Sequence, residues 1–210
     1  MKNTAELPDL AQGLLAGARE NEQFEVCLSR SRSTTVKAYL GKVESVRSGA
    51  SQAVGVRIVV DGRQGFATAG SLDPDVLKEV VEEARENLKF AERDPDQGIA
   101  IPDGVAPPGL DLTDPAVLRL TEEDRAAVAI ELERRCLSSD SRITGVRSSA
   151  WSDGWGEFAL ASTSGIAVQS EGGSCSVGVQ PLAMQGSETQ IGYAGDAARR
   201  PDALDLDRVV

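Results

Sequence analysis

The sequence predicts an α+β fold, mostly antiparallel sheets packed with a few helices, in which a helix-then-strands plan is stated twice. Three observations carry this expectation. Segments of strict apolar and polar alternation recur along most of the chain, the signature of half-buried strands. Turn dipeptides fall between consecutive alternating segments, as hairpins require. Amphipathic helical stripes occur at only a few places, and each of the first and third opens a run of strands.

Taken in order, Leu7, Leu10, Leu14, Leu15 and Ala18 fall on one stripe, with Pro8 tolerable in the first turn, and predict a helix over 8–20. FEVCLSRS (24–31), TTVKAYLG (34–41) and QAVGVRIVV (52–60) then alternate at period two, and KVESVRSGA carries a weaker strand pattern. The stretch VVDGRQGFATAGS (59–71) follows. Asp61 and Gly62 tolerate the positive φ of a hairpin turn, and RQGFATAG resumes the alternation. Gly65, four residues, Gly70 and Ser71 come one lysine short of a phosphate-binding loop, because Ser71 and Leu72 stand where lysine and hydroxyl are needed. The hairpin is therefore preferred, with Gly65 and Gly70 easing a strand that twists or bulges. Asp73 as N-cap, Pro74 at the first helical position and Leu72 stapling against Leu77 begin a second helix. Val76, Leu77, Val80, Val81, Ala84 and Leu88 carry its apolar face to about Ala91.

Five of the nine prolines lie between Asp94 and Pro115, which predicts an extended connection. Thr121 and Asp124 offer a capping box, and Val128, Leu132 and Cys136 mark a third helix to about Leu137. ITGVRSSAW, EFALAS, GIAVQSE, SCSVGVQPLAM and TQIGYAG then read as a meander broken at Asp153-Gly154, Ser164-Gly165, Gly172-Gly173 and Gly186-Ser187. LDLDRVV starts a helical pattern without a C-cap, so a helix continuing beyond Val210 is expected. The organisation expected is 1–93 (helix, strands, helix), 94–120 (proline-rich connection) and 121–210 (helix, meander, start of a helix).

Composition narrows the chemistry. A chain of 210 residues can bury a core without disulfide or metal. Its net charge of -11 opposes binding to nucleic acid or anionic lipid. The absence of histidine excludes Ser-His-Asp and Cys-His nucleophiles and the H-E-x-x-H zinc motif within the chain. Cys27, Cys136 and Cys175 are odd in number and far apart, which suits separate thiols in a reducing cytoplasm. No apolar run reaches membrane-spanning length, and the first residues carry acids where a signal peptide is apolar.

Other chemistry-bearing groups have ordinary explanations. Glu82-Glu83 and Glu122-Glu123-Asp124 fall on a polar face or in a first turn, where acids favour the helix dipole. Lys37 and Lys42 show no sign of desolvation in a hydroxyl-lysine dyad. Trp151 and Trp155 are expected to pack either side of a turn at Asp153-Gly154. The small residues of 162–178 suit either close sheet packing or an edge that accepts an extended peptide.

GKVESVRSGASQAVGVRIVVDGRQGFATAGSLDPDVLKEVVEEA, DPDQGIA and RITGVRSSAWSDGWGEFALASTSGIAVQSEGGSCSVGVQPLA together resemble the N-terminal region of the TldD/PmbA family, closer to the PmbA (TldE) subunit. The resemblance runs from about Phe24 onward and lies in the order of elements and turn motifs. It implies a metallopeptidase system in which two related subunits form a heterodimer that cleaves unfolded peptides. It further implies zinc in a TldD-like partner subunit or in a C-terminal domain beyond this chain, and it carries over no metal ligand, general base or nucleophile to any residue here. The expected role is assembly and lining of the peptide chamber; the alternative is a free-standing peptide- or protein-binding module that uses a sheet edge.

Overall fold

The computed structural model describes residues 6–210, so Met1–Ala5, the start of the stretch whose acids argue against a signal peptide, lie outside the described residues. In chain order the elements are α1 (Leu7–Leu15), β1 (Gln23–Tyr39), β2 (Lys42–Val60), β3 (Arg63–Ala69), α2 (Pro74–Asn87), α3 (Pro115–Arg119), α4 (Glu122–Ser139), β4 (Ile143–Ser162), β5 (Ala167–Gln185), β6 (Glu188–Ile191), β7 (Ala194–Ala198) and α5 (Leu206–Val209). The sheet order is β3-β2-β1-β4-β5-β6, with β7 also pairing β5. The architecture is the α+β, antiparallel one that the alternation predicts.

The strands are longer than the sequence pattern suggests. FEVCLSRS and TTVKAYLG are one strand, as are KVESVRSGA and QAVGVRIVV. The stretch between each pair is polar yet holds no residue that forces a reversal, and its hydroxyls pair across strands: Ser31 Oγ with Ser51 Oγ at 2.7 Å, and Thr34 Oγ1 with Ser48 Oγ at 3.2 Å. Asp153-Gly154 and Gly172-Gly173 are likewise not turns but interior positions of β4 and β5. Asp153 tolerates a strand because Arg125 and Trp151 satisfy its carboxylate there. Helix α1 stops at Leu15 instead of near 20, since Gly17 and Ala18 turn tightly onto Leu14 and Leu15 and the Glu22 carboxylate takes the Arg19 N–H. The proline-rich connection ends in a short helix, α3, whose Asp114 cap accepts from Ala116 N at 2.7 Å.

The chain divides into two compact units, and β1, β2, β4 and β5 each contribute to both. Unit 1 is Met1–Ser31, Ser51–Leu110 and Gly156–Glu171. Its core gathers Leu7 and Ala11 of α1, Phe24, Val26 and Leu28 of β1, Val54, Val56 and Ile58 of β2, and Leu77, Val80, Val81 and Ala84 of α2. Alternate strand residues supply the sheet side and the helical stripes the cover, so each pattern in the sequence meets its complement.

Unit 2 is Arg32–Ala50, Asp111–Trp155 and Gly172–Val210. Ala129, Leu132 and Cys136 of α4 pack with Ala38, Val146, Trp151, Cys175, Val177 and Val179 from the strands. The capping box at Thr121 forms, with Asp124 N donating to Thr121 Oγ1 at 3.1 Å and Thr121 N to Asp124 Oδ2 at 2.8 Å. TQIGYAG is two strands because Pro181, opposite the break, has no N–H to donate; Gly192 N reaches the Pro181 carbonyl at 3.1 Å, and pairing resumes at Ala194.

Two hairpin turns share one geometry and differ in sequence. Asp61 and Gly62 stand at φ 50° and 73°, and Leu40 and Gly41 at φ 53° and 73°. Both are turns with positive φ at the two central residues, a conformation that aspartate and glycine accept and that costs a leucine about 1 kcal/mol. Leu40 is in addition 74% exposed.

Candidate functional site

The residues singled out at 61–74 lie in unit 1 and serve the backbone. Asp61 and Gly62 close the β2–β3 hairpin; Arg93 Nε donates to the Asp61 carbonyl at 3.1 Å and Asp94 N to the Gly62 carbonyl at 2.8 Å. A Cβ on Gly62 would lie 2.4 Å from the Asp94 carbonyl oxygen. Gly65 pairs with Ile58 in the antiparallel ladder, and a Cβ there would lie 1.9 Å from the Ala84 carbonyl oxygen of α2. Gly70 has open space around it, its nearest neighbour at 3.9 Å, and no positive φ. Asp73 occupies the N-cap position in extended conformation without a side-chain cap bond, its N–H donating to Ser71 Oγ at 3.1 Å, and Pro74 opens α2. Gly65 to Ala69 is therefore a ladder strand, and no phosphate cradle forms.

A cleft with a polar lining lies on the sheet face of unit 2 opposite its core. Ser148, Ala150 and Ser152 of β4 alternate with the buried Ser149 and Trp151, and Ser176, Gly178 and Gln180 of β5 alternate with the buried Cys175, Val177 and Val179. Together with Tyr193, Gly195, Asp196 and Ala197 they enclose about 400 Å³. The break after β6 throws Tyr193 over the sheet. Its ring lies on Gly178 and Gly195, which are paired across β5 and β7, and a Cβ on either would stand 3.2 or 3.0 Å from the phenol oxygen. Bare backbone at both glycines leaves room for the phenol end of the ring, and the break re-aims it. Sequence reasoning missed this cleft, although Pro181 and the Gly192-Tyr193 pair were visible signals.

Its chemistry is that of hydrogen bonding. Ser152 Oγ pairs with Thr35 Oγ1 at 3.0 Å, and Asp196 accepts from Asp205 N at 2.9 Å, which holds its carboxyl below the usual carboxylate range. Beneath it, Asp153 takes a bidentate pair of bonds from Arg125, at 2.5 and 3.0 Å, and one from Trp151 Nε1 at 2.8 Å. Trp151 is thus a buried core residue, while Trp155 stacks with Arg32, whose guanidinium carbon is 5.4 Å from the ring centre. The chain has no histidine to act as general base for a cleft serine.

Among the described residues no three His, Cys, Asp or Glu side chains converge in a way that could hold a metal ion. The described residues therefore do not fit a zinc site. The three cysteines are unpaired. Burial pushes the Cys175 thiol up to about 11, with nearby acids adding to the effect, and burial raises Cys136 as well. At pH 8 only about a thousandth of Cys175 is thiolate, so native protein treated with a disulfide reagent should leave Cys175 and Cys136 unreacted over the period in which denatured protein titrates fully. Fast modification of either thiol in the native protein would contradict this account.

Comparison with known proteins places the fold. The family model for the PmbA/TldA metallopeptidase domain 1 matches residues 24–88, and that for the PmbA/TldA metallopeptidase central domain matches 116–210. The metalloprotease PmbA of Escherichia coli O157:H7 is 26% identical over 160 residues, which is 75% of this chain and 34% of that protein. Among solved structures, a protein from Bacteroides thetaiotaomicron described as a candidate modulator of DNA gyrase superposes with a TM-score of 0.84 at 19% identity, over 98% of this chain and 48% of that one. TldE from Thermococcus kodakarensis gives 0.74 at 19% identity, over 97% and 44%. The antiparallel sheet and helices are those of a metallopeptidase-family scaffold, matched here by two domain models. The chain belongs to the TldD/PmbA metallopeptidase family and is PmbA-like. It spans about a third of the curated relative and under half of these solved structures.

Proposed function

We propose that this chain is the N-terminal part of a PmbA/TldE-like subunit, non-catalytic in itself, that assembles with a zinc-bearing TldD-like subunit and helps wall the chamber through which unfolded peptides reach the metal. The observation that carries this reading is the match to both family domain models by a chain with no histidine. Peptide cleavage by zinc needs a ligand set, and this part of the family scaffold offers hydroxyls and backbone in its place. A cleft of serines, glutamine and tyrosine suits passing contact with peptide amides of any sequence. The unpaired thiols support a reducing compartment, the cytoplasm, and among the described residues no helix is long and apolar enough to cross a membrane.

The test is a peptidase assay on an unstructured peptide. The purified chain alone is expected to show no zinc-dependent cleavage, and mixing it with the TldD-type subunit of the same organism is expected to give a complex detectable by sedimentation. Zinc-dependent turnover by the chain alone, surviving removal of contaminating proteases, would overturn the proposal.

A further inference from the structure

The tip of the β1–β2 hairpin, Tyr39 to Arg47, combines features that folding does not ask for. Leu40 spends its side chain on solvent from a positive-φ position that the β2–β3 hairpin, with the same backbone, gives to Asp61. Tyr39, Val43 and Val46 are exposed beside it. The turn is nonetheless held rigidly: the carboxylate of Glu133 on α4, a residue 2% exposed, accepts from Leu40 N and Gly41 N, both at 2.8 Å. A buried charge fixed on a surface turn preorganises that turn. Alongside it, β3 pairs with β2 only from Val54 to Val60, so within unit 2 the edge of β2 over Lys42–Ala50 has no described strand beside it, and eight of its nine residues are exposed. Exposed edges of this kind are templates for another chain.

The charge of the tip calls for an acidic partner surface. Residues 32–50 hold Arg32, Lys37, Lys42 and Arg47 against the single acid Glu44, in a chain of net charge -11. We infer that this basic, apolar-tipped hairpin is a docking arm for the partner subunit: Leu40 enters an apolar hollow rimmed by acidic side chains, and the β2 edge receives an extended strand of that subunit. The inference rests on the partner proposed above. A rigid tip with one protruding apolar side chain is the form that binding hot spots take, and the flanking cations steer the encounter.

Two variants test it without threatening the fold. Leu40→Asn places a residue tolerant of positive φ in the turn and should raise Tm by a few degrees. The double variant Lys42→Glu, Arg47→Glu changes two exposed side chains. Titration against the TldD-type subunit from the same organism is expected to show at least tenfold weaker binding for each, with hydrogen exchange at amides 43–47 slowed in the wild-type complex only. A complex that forms with unchanged affinity in both variants, or without protection at 43–47, leaves the partner reading intact and sinks the docking arm. If the wild-type chain forms no complex, both proposals fall. A self-association of the chain abolished by Leu40→Asn would instead assign the tip to a second copy and overturn the inference.

Discussion

Replacing Gly65 by alanine is expected to destabilise unit 1 by about 3 kcal/mol, the upper range for forcing one methyl into a packed interior. The physical cause is local and hard. The added carbon would stand 1.9 Å from the Ala84 carbonyl oxygen, 3.0 Å from its carbonyl carbon and 3.0 Å from Leu88 Cγ. A leucine tip can swing aside; a helix carbonyl cannot move without carrying its turn. Relief therefore requires α2 to lift from β3, which strips cover from Val80, Val81 and Ala84 in the core and breaks the bond from Asn87 Nδ2 to the Phe66 carbonyl at 2.9 Å. Gly70→Ala, in the same stretch, meets nothing closer than 3.9 Å and should stay within about 0.5 kcal/mol of wild type. Urea unfolding of the two variants side by side checks both values; equal stabilities would remove close helix–strand approach as the explanation for Gly65.

That contrast shows what the sequence could and could not display. The alternation at Val54, Val56 and Ile58, the Asp61-Gly62 turn and the Thr121–Asp124 box are local, and local rules suffice for them. The reason for Gly65 is not local, because it lies in a carbonyl of a helix that only the tertiary fold brings against the strand. Asp153-Gly154 misleads for a related reason: turn chemistry was overridden by Arg125, which reaches the carboxylate from α4. The Leu40-Gly41 turn was invisible because leucine is not a turn residue, and its geometry is imposed from outside by Glu133. The cleft under Tyr193 depends on a break in pairing opposite Pro181, legible as a proline in a strand but not as a cleft. Family membership was legible in the order of motifs, and it agrees with both domain matches.

Arg85→Met is the second large effect expected, about 3 kcal/mol at neutral pH, because it strands a buried carboxylate. Arg85 Nε and Nη2 each reach Glu22 at 2.8 Å, and its other bonds go to Glu82 at 2.6 Å and to the Gly17 carbonyl at 2.7 Å. The Glu22 and Arg85 side chains are 4% and 10% exposed, so solvent screens the pair little. This one guanidinium ties the connection between α1 and β1 to the face of α2. The pair also fixes a pH dependence. Hydrogen bonding from Arg85, followed by the Arg19 N–H, holds the Glu22 carboxyl below its ordinary value of 4.5 against the opposing effect of burial. A carboxyl depressed in the folded state contributes stability that is fully present above that ordinary value and is lost as pH falls through the lowered one. Denaturation followed from pH 7 downward should accordingly show Arg85→Met and wild type converging below pH 4.5, where protonation of Glu22 removes the stranded charge that sets them apart. The double change Glu22→Leu, Arg85→Met should recover most of the loss at pH 7, since two apolar side chains leave no unpaired charge behind. A double variant as unstable as Arg85→Met alone, or a gap between Arg85→Met and wild type that persists unchanged to pH 3, would mean that Arg85 acts through its contact with Gly17 and the packing of its stem, not through Glu22.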